Sequence, residues 1–187
     1  MLKQFLLAAA LASFSFAATV PRPCGDVPFE VPGKGPMKLS DFHGKVIIVA
    51  VFITTCPHCQ NTTKLLTKIQ NDYRALGLQV IQLAFRDDDN KEAIAKFVKE
   101  YKPSYPVGII DGNLLAKWGQ LTPEMRPTVP MLFFIDRDGF IQGQYMGADP
   151  FMNESLQDET IRAKAKGLLA QKVSTRAPSK RAPAPKK

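Results

Sequence analysis

The chain has 187 residues, of which 45% are hydrophobic, and this is enough for one domain with a sizeable core. Its formal net charge of +8 is concentrated at the ends, because residues 172–187 contain six basic side chains and no acidic one, and Lys3 lies in an apolar leader. The remaining body is nearly neutral, with 18 basic and 17 acidic residues. This distribution argues against specific binding of nucleic acid by the folded domain.

Residues 1–17 have the pattern of a secretory signal peptide. Lys3 provides a positive start, residues 5–16 form an apolar run, and Ser15-Phe16-Ala17 is a small-x-small cleavage site. The apolar run of about 12 residues is much shorter than the roughly 20 that span a bilayer. We therefore predict a secreted, periplasmic protein whose mature domain covers residues 18–172, in a compartment where proteins can hold disulfides.

The mature chain begins with a segment rich in Pro and Gly, residues 21–35, which predicts an extended arm or short strands with turns. This segment contains Cys24, which we interpret as an unpaired thiol on a surface strand. A bond to a partner and a redox sensor are the alternatives for this cysteine. Ser40 and Asp41 then predict a capped helical turn before Gly44.

Residues 46–53 are an almost unbroken β-branched run, typical of a strand covered on both faces at the centre of a parallel or mixed sheet. The tetrapeptide Cys56-Pro57-His58-Cys59 follows directly. Apolar residues then recur at helical spacing up to Leu76, and Gly77 supplies the stop. Two cysteines three apart at the start of a helix lie on one face, so the motif predicts a pair that forms and breaks a disulfide.

The next elements alternate between strand and helix. Residues 78–85 predict a strand, and residues 91–101 predict a helix with an apolar stripe. We interpret the connecting residues Asp87-Asp88-Asp89-Asn90 as helix caps and a solvated turn. A cation site is disfavoured there, because no second ligand cluster follows at the spacing of a calcium loop.

The second half of the chain continues this alternation. It predicts strands at residues 105–110, 131–135 and 140–145, the last two joined by a hairpin turn, and helices at residues 114–118 and 153–173. The whole pattern predicts a layered α/β domain. Residues 173–187 have almost no apolar side chains and predict a disordered basic tail, which either keeps the protein soluble or contacts an anionic surface.

The motif residues themselves favour thiol chemistry. Pro57 suits the first position of a helix, which places Cys56 at the helix N-terminus, where N–H groups and the helix dipole favour its thiolate. Cys56 is therefore the predicted attacking sulfur, and Cys59, one turn further in, is the predicted resolving sulfur. His58 adds positive charge or a hydrogen bond beside the sulfurs, and a stabilised thiolate makes the disulfide more oxidising. The alternative is that His58 is simply exposed.

A second group of residues, Thr128-Val129-Pro130, precedes the strand at 131–135. A cis proline at Pro130 would expose the Val129 backbone beside the active sulfur, where an extended substrate peptide could pair with it. We therefore predict that these three residues bind substrate.

Together these segments resemble the thioredoxin-like superfamily, in which a strand, a Cys-x-x-Cys at a helix start and a proline before a later strand recur. Residues 37–46 and 133–139 are similar to the exported TlpA and ResA branch, which is related to the AhpC/TSA redoxins. Over residues 25–171 the resemblance implies a three-layer α/β fold with a central mixed sheet flanked by helices. It implies an enzyme without a cofactor that exchanges disulfides with protein thiols through Cys56 as nucleophile and Cys59 as resolving cysteine, beside a cis Pro130. A redox partner would recycle the pair.

Three residues depart from the superfamily pattern. Thr55 stands where a tryptophan usually precedes the first cysteine, and Ala50 stands where thioredoxin and DsbA carry a buried acid. The proton of Cys59 would then need water or another group, such as Glu124 or Asp149. The Cys-Pro-His-Cys sequence is that of DsbA, an oxidase, whereas TlpA-like reductases usually carry a different pair between the cysteines.

Other functions are compatible with the same residues. A thiol peroxidase would use Cys56, with Thr54 or Thr55 and Arg126 polarising the peroxide. A copper or zinc module would use Cys56, Cys59 and His43 or His58, although their spacing supports a metal site poorly and we predict none. An inert scaffold that binds partners through its tail is the third alternative.

Overall fold

The computed structural model describes residues 18–86 and 88–172, so the predicted signal peptide and the basic tail lie outside the described residues. The strands are β1 (Arg22–Pro23), β2 (Pro28–Val31), β3 (Gly35–Lys38), β4 (Val46–Phe52), β5 (Leu78–Ala84), β6 (Val107–Ile109), β7 (Met131–Ile135) and β8 (Phe140–Tyr145). The helices are α1 (Pro57–Tyr73), α2 (Lys91–Tyr101), α3 (Gly112–Trp118) and α4 (Gln157–Leu169).

The strands in the described part of the chain form one mixed sheet in the order β1-β8-β7-β4-β5-β6-β2-β3. Strand β4 pairs in parallel with β5 and antiparallel with β7, and β5 pairs in parallel with β6. Parallel neighbours need a crossover connection, which α1 and α2 provide. The predicted central strand and the predicted hairpin between β7 and β8 are both confirmed.

Strand β4 is buried on both faces and separates two hydrophobic cores. Alternate side chains from Val46 to Phe52 face the core that contains Leu66 of α1, Phe97 of α2 and Ile161 of α4. The intervening side chains face the second core, which contains Leu115 of α3 and residues of the N-terminal strands. A sheet with helices on both faces is the predicted three-layer arrangement.

Helix α1 starts where predicted and gives way to a tighter turn before its predicted end. Residues Arg74–Leu76 form a 3-10 turn, and Gly77 then reverses the chain with φ at +93°, a conformation that favours glycine. The Arg137 guanidinium donates to the carbonyl of Leu76 at 2.9 Å, and its Nη1 would lie 2.8 Å from a Cβ at position 77. The backbone conformation is what favours glycine there, because the end of the flexible Arg137 side chain can move away from a Cβ.

The last helix is shorter than the predicted range of 153–173. Residues Pro150–Met152 form a separate 3-10 turn, and Asn153 Oδ1 accepts from the Ser155 N–H at 3.0 Å. Such a local side-chain bond competes with helical hydrogen bonding. Helix α4 therefore begins at Gln157 and ends at Leu169.

The prediction of Cys24 as a surface thiol is wrong. Cys24 is a free cysteine in the second core, with 6% of its surface exposed. Its N–H donates to the Gly139 carbonyl at 2.8 Å, and its own carbonyl accepts from the Trp118 indole at 2.8 Å. Burial raises the pKa of the Cys24 thiol to about 12, so this cysteine is a core residue of low reactivity.

Within residues 18–86 and 88–172, no helix combines the length and the apolar character needed to cross a membrane.

Candidate functional site

The Cys-x-x-Cys motif lies where β4 leaves the sheet and α1 begins. Cys56 is the N-cap residue of α1, with extended backbone angles of φ −80° and ψ 118°, and Pro57 is the first helical residue, as predicted. The Cys56 carbonyl accepts the first helical hydrogen bond from Gln60 N at 3.0 Å. Its side chain is half-buried. This arrangement places a reachable sulfur at the positive end of the helix dipole.

Cys59 lies one turn further along α1 and has no exposed surface. Burial raises the pKa of the Cys59 thiol well above its usual range, against the effect of a backbone hydrogen bond from Ile53. Its side chain also hydrogen-bonds to that of Cys56. The two sulfurs therefore differ in access, and burial makes the Cys59 thiol a weak acid.

A buried polar network fixes the turn of α1 that carries Cys59. The Thr63 hydroxyl donates to the Cys59 carbonyl at 2.8 Å and accepts from Gln82 Nε2 at 2.8 Å. The Tyr105 hydroxyl donates to Gln82 Oε1 at 3.0 Å. Buried polar groups that satisfy one another in this way hold a single geometry, so the network ties the position of Cys59 to β5 and to the start of β6.

The Thr128-Val129-Pro130 segment lies beside the motif. The Val129–Pro130 peptide bond is cis, as the resemblance implies. Gly147 N donates to the Thr128 carbonyl at 2.9 Å, and Ala148 N donates to the Thr128 hydroxyl at 2.9 Å. A Cβ at position 147 would lie 2.6 Å from the Val129 carbonyl oxygen, so the absence of a side chain at Gly147 lets the two loops approach closely.

A small groove connects this segment with the motif. It has a volume of about 170 Å³ and is lined by His58, Val129, Pro130, Gly147, Met152, Glu154 and Gln157. A larger depression of about 430 Å³, between Phe151 and Gly167, is lined by no residue of the motif and by none of Thr128-Val129-Pro130. We consider the smaller groove the relevant one because it combines His58 of the motif with Pro130.

His58 has a partner that the sequence did not reveal. Its Nδ1 lies 2.5 Å from Glu154 Oε1, although the two residues are 96 positions apart and both side chains are largely exposed. The hydrogen bond from His58 lowers the pKa of Glu154, and a weaker hydrogen bond from Asn61 acts in the same direction. Glu154 thus places a carboxylate against the first turn of α1.

Asp89 is the second residue whose position differs from the sequence interpretation. It is interpreted there as part of a helix cap or a solvated turn, and the structure instead buries it. Its side chain is buried, and Oδ1 accepts hydrogen bonds from the Thr54 N–H at 2.9 Å and from the Thr54 hydroxyl. Its Oδ2 is buried without a hydrogen-bond partner among the described residues. The charge of Asp89 acts on Cys59 and adds to the rise in the pKa of that thiol.

The acids suggested for proton transfer occupy other positions. Glu124 is exposed in the 3-10 turn Pro123–Met125, and Asp149 accepts a hydrogen bond from Met146 N at 2.5 Å. Ala50 is buried in β4. Asp89, from the loop after β5, is a buried carboxylate whose charge raises the pKa of Cys59.

The residues named for the alternative sites occupy other surroundings. In the part of the chain that the structure describes, no three His, Cys, Asp or Glu side chains form a group that could hold a metal ion. His43 instead approaches the β7–β8 turn at Gly139. For the peroxidase alternative, the Thr54 hydroxyl already donates to Asp89, and Arg126 is exposed.

Comparisons with known proteins agree with this architecture. The putative thiol:disulfide interchange protein DsbE of Chlorobium tepidum has a TM-score of 0.63 at 23% identity, over 78% of this chain and 96% of that chain. A secreted Mycobacterium tuberculosis disulfide oxidoreductase homologous to Escherichia coli DsbE has a TM-score of 0.58 at 17% identity, over 75% of this chain and 95% of that chain. These similarities confirm the predicted thioredoxin-like fold.

Sequence comparison indicates the family. The thiol-disulfide oxidoreductase ResA of Bacillus thuringiensis subsp. konkukian is 28% identical over 111 residues, which are 59% of this chain and 60% of ResA. The chain thus matches about 60% of the length of its curated relatives. A model of the AhpC/TSA family matches residues 26–144, more than half of the chain. The chain therefore belongs to the AhpC/TSA family and is similar to its ResA-like members.

Proposed function

We propose that this protein is an exported thiol-disulfide oxidoreductase that exchanges disulfides with protein substrates through Cys56 and Cys59. The observation that carries the proposal is the asymmetry of the pair: Cys56 is half-buried at the start of α1, whereas Cys59 is fully buried behind it. An external disulfide can reach only the first sulfur, so Cys56 is the nucleophile and Cys59 resolves the mixed disulfide.

The reaction consists of two thiol-disulfide exchanges. In the reducing direction, the Cys56 thiolate attacks a substrate disulfide, forms a mixed disulfide and releases one substrate sulfur as a thiolate. Cys59 then loses its proton and attacks Cys56, which releases the second substrate sulfur. Two electrons have passed from the Cys56/Cys59 dithiol to the substrate. In the oxidising direction the same steps run in reverse, and a redox partner restores the starting form.

The second exchange requires a proton acceptor, because the buried Cys59 thiol holds its proton strongly. Asp89 fits this role. Its Oδ1 is bound by the N–H of Thr54, while the residue before it, Ile53, provides the backbone hydrogen bond to Cys59. Oδ2 has no partner among the described residues. The proton of Cys59 passes to this carboxylate, directly or through one water, as the sulfur attacks Cys56.

The substrate peptide docks in the groove beside Pro130. Thr128 is anchored through both its carbonyl and its hydroxyl to the loop at Gly147 and Ala148. Val129 and Pro130 line the groove next to His58. An extended segment that pairs with the Val129 backbone would bring its sulfur to Cys56, a mode of recognition that depends on main-chain hydrogen bonds and is tolerant of sequence.

Export is proposed from the signal-like pattern of residues 1–17 and the substrates that a disulfide-forming compartment contains. Expression of the full chain in a bacterium, followed by fractionation and N-terminal sequencing, tests it. We expect a periplasmic product that begins near Ala18. A cytosolic product with an intact N-terminus would contradict export and would leave the proposed chemistry to be tested separately.

The chemistry is tested with purified wild type, Cys56→Ser and Cys59→Ser, each reduced, freed of the reductant and then incubated with a disulfide-containing protein. We expect Cys56→Ser to be inactive and Cys59→Ser to accumulate a mixed disulfide, which non-reducing electrophoresis and mass spectrometry detect. Membership of the AhpC/TSA family favours a thiol peroxidase as the second candidate. Rapid peroxide consumption that persists in Cys59→Ser, without exchange on protein disulfides, would decide for it.

A further inference from the structure

The histidine inside the motif, His58, is in contact with the carboxylate of Glu154. His58 Nδ1 and Glu154 Oε1 are 2.5 Å apart, and their side chains are 70% and 56% exposed. Exposed pairs of this kind contribute little to stability. His58 lies between Cys56 and Cys59 in the first turn of α1, so its contact with Glu154 brings a negative charge to the turn that carries both sulfurs.

We propose that Glu154 is a positioning residue that lowers the reduction potential of the Cys56/Cys59 pair, making it less oxidising than the Cys-Pro-His-Cys sequence alone predicts. This inference depends on the proposed thiol-disulfide chemistry. It names a residue far from the motif in sequence, between the 3-10 turn Pro150–Met152 and α4, as a determinant of the direction of exchange.

The sign of the effect follows from the charges at the helix start. When His58 is protonated, it and the Glu154 carboxylate together carry no net charge; when His58 is neutral, the pair carries one negative charge. Without the carboxylate, the same position is positive or neutral. Removing the carboxylate thus makes the amino end of α1 more positive in either state, which stabilises the Cys56 thiolate. A stabilised thiolate favours the reduced form and makes the disulfide more oxidising.

The carboxylate is held at this place by more than one contact. Asn61, one helical turn after His58, also hydrogen-bonds to Glu154 and contributes to its lowered pKa. Glu154 and His58 line the same groove as Val129 and Pro130. The negative charge therefore lies on the groove side of α1, beside the first helical turn, which follows Cys56.

The test is the equilibrium between dithiol and disulfide forms in glutathione buffers at about pH 7, with thiols trapped by alkylation and counted by mass spectrometry. Glu154→Gln should shift this equilibrium about two- to fivefold towards the dithiol form, the range expected for one charge at an exposed helix terminus. Glu159→Gln is the matched control, because Glu159 is an exposed acid in the first turn of α4. It should shift the equilibrium less than Glu154→Gln does.

A second comparison tests whether the charge of the carboxylate itself is responsible. In a His58→Ala background, Glu154→Gln should still shift the equilibrium towards the dithiol form, by at least as much as in the wild type, because the same negative charge is removed and no histidine proton can offset it. An unchanged equilibrium in Glu154→Gln, a shift towards the disulfide form, or an equal shift in Glu159→Gln would overturn the inference. A wild type without any reversible dithiol-disulfide equilibrium would instead overturn the proposed function.

Discussion

Asp89 shows how one side chain among similar neighbours acquires a special environment. Asn90, the next residue, does cap α2, because its Oδ1 accepts from Ala93 N at 2.9 Å. Asp88 stays exposed and pairs with Arg86. Asp89 instead turns inward to Thr54. The sequence predicts that caps occur in this segment, but which acid turns inward depends on how the loop passes the end of β4, and residue spacing does not encode that path.

The role of Asp89 is tested with Asp89→Asn. Its side-chain oxygen can still accept from Thr54, so the free energy of unfolding should change by less than about 1 kcal/mol or increase, since an unpartnered buried carboxylate is removed. Resolution of the mixed disulfide should slow by about tenfold or more, because the proton acceptor is lost. Rapid quenching with an alkylating reagent and mass spectrometry measures the lifetime of the mixed disulfide.

Asp88→Asn provides the control, because it changes the same type of residue in the same loop at an exposed position. Equal rates in Asp89→Asn and the wild type would contradict the assignment, as would an equally strong effect in Asp88→Asn. A large loss of stability in Asp89→Asn would indicate that the residue is mainly structural.

At the residue scale, the sequence predicted what depends on neighbours along the chain. Cys56 as the N-cap, Pro57 at the first helical position and the burial of Cys59 all follow from the local motif. The contact of His58 with Glu154 joins positions 96 residues apart, and no local pattern indicates such a partner. The geometry that modulates the two sulfurs was therefore not predictable from the motif.

At the scale of elements, the loop Thr128–Pro130 depends on close contact with a second loop. Gly147 provides the contact, since a Cβ there would lie 2.6 Å from the Val129 carbonyl oxygen and 2.8 Å from its carbon. Both atoms belong to the backbone and cannot rotate away. The loop that lines the groove is consequently held by a residue outside the predicted substrate-binding segment.

Gly147→Ala should displace Val129 and Pro130 and reduce the rate of exchange with a protein disulfide by up to about 100-fold, because the substrate is misplaced by an ångström or so. Alkylation of Cys56 by a small reagent should keep its rate, since α1 is not moved. The measurement is kcat/KM with a protein disulfide beside the rate of alkylation. Equal losses in both reactions would show that the substitution disturbs the motif itself.

Gly167→Ala is the control for that experiment. Gly167 is an exposed residue inside α4, and a Cβ there meets no atom within 4 Å. This substitution should leave exchange unchanged and stabilise the protein by about 0.5–1 kcal/mol, the usual gain from alanine over glycine in a helix. A fall in exchange rate in Gly167→Ala would contradict the interpretation that the groove, and not α4, controls the reaction.

Helices and strands were predictable because apolar residues recur with clear periodicity along this chain and because glycines, such as Gly77, lie where elements end. The central strand, α1, α2 and the β7–β8 hairpin lie close to their predicted ranges. The start of the last helix, α4, was less predictable. Asn153 and Pro150 create turns that delay α4 until Gln157, and periodicity alone does not show where such side-chain bonds interrupt a helix.

At the scale of the whole molecule, burial of Cys24 in the second core makes the free energy of unfolding decrease as the pH rises in the alkaline range. Burial raises the pKa of Cys24 from 9.0 to about 12. The unfolded chain therefore loses this proton at a lower pH than the folded chain does. The stability linked to Cys24 is fully present below about pH 9 and is lost as the pH rises towards about 12.

Urea unfolding under reducing conditions at about pH 8 and about pH 10 tests this linkage. The wild type should lose about 1 kcal/mol more stability over this interval than Cys24→Ala, because one proton is released on unfolding. Cys59 and the lysines are common to both proteins and cancel in the comparison. Equal losses in both proteins would show that the Cys24 thiol ionises as easily in the folded state as in the unfolded state.

The two-sided burial of β4 has a consequence for how this protein can change. In this chain all seven side chains of β4 are apolar and pack into the two cores, so the strand itself supplies no group to the proposed reaction. Thr54, His58, Asp89, Val129 and Glu154 instead come from the ends of different elements, outside the strand. The residues proposed to set the reduction potential therefore lie outside the packed core. Exchanging the segments that carry them between relatives should transfer the reduction potential without redesign of the core.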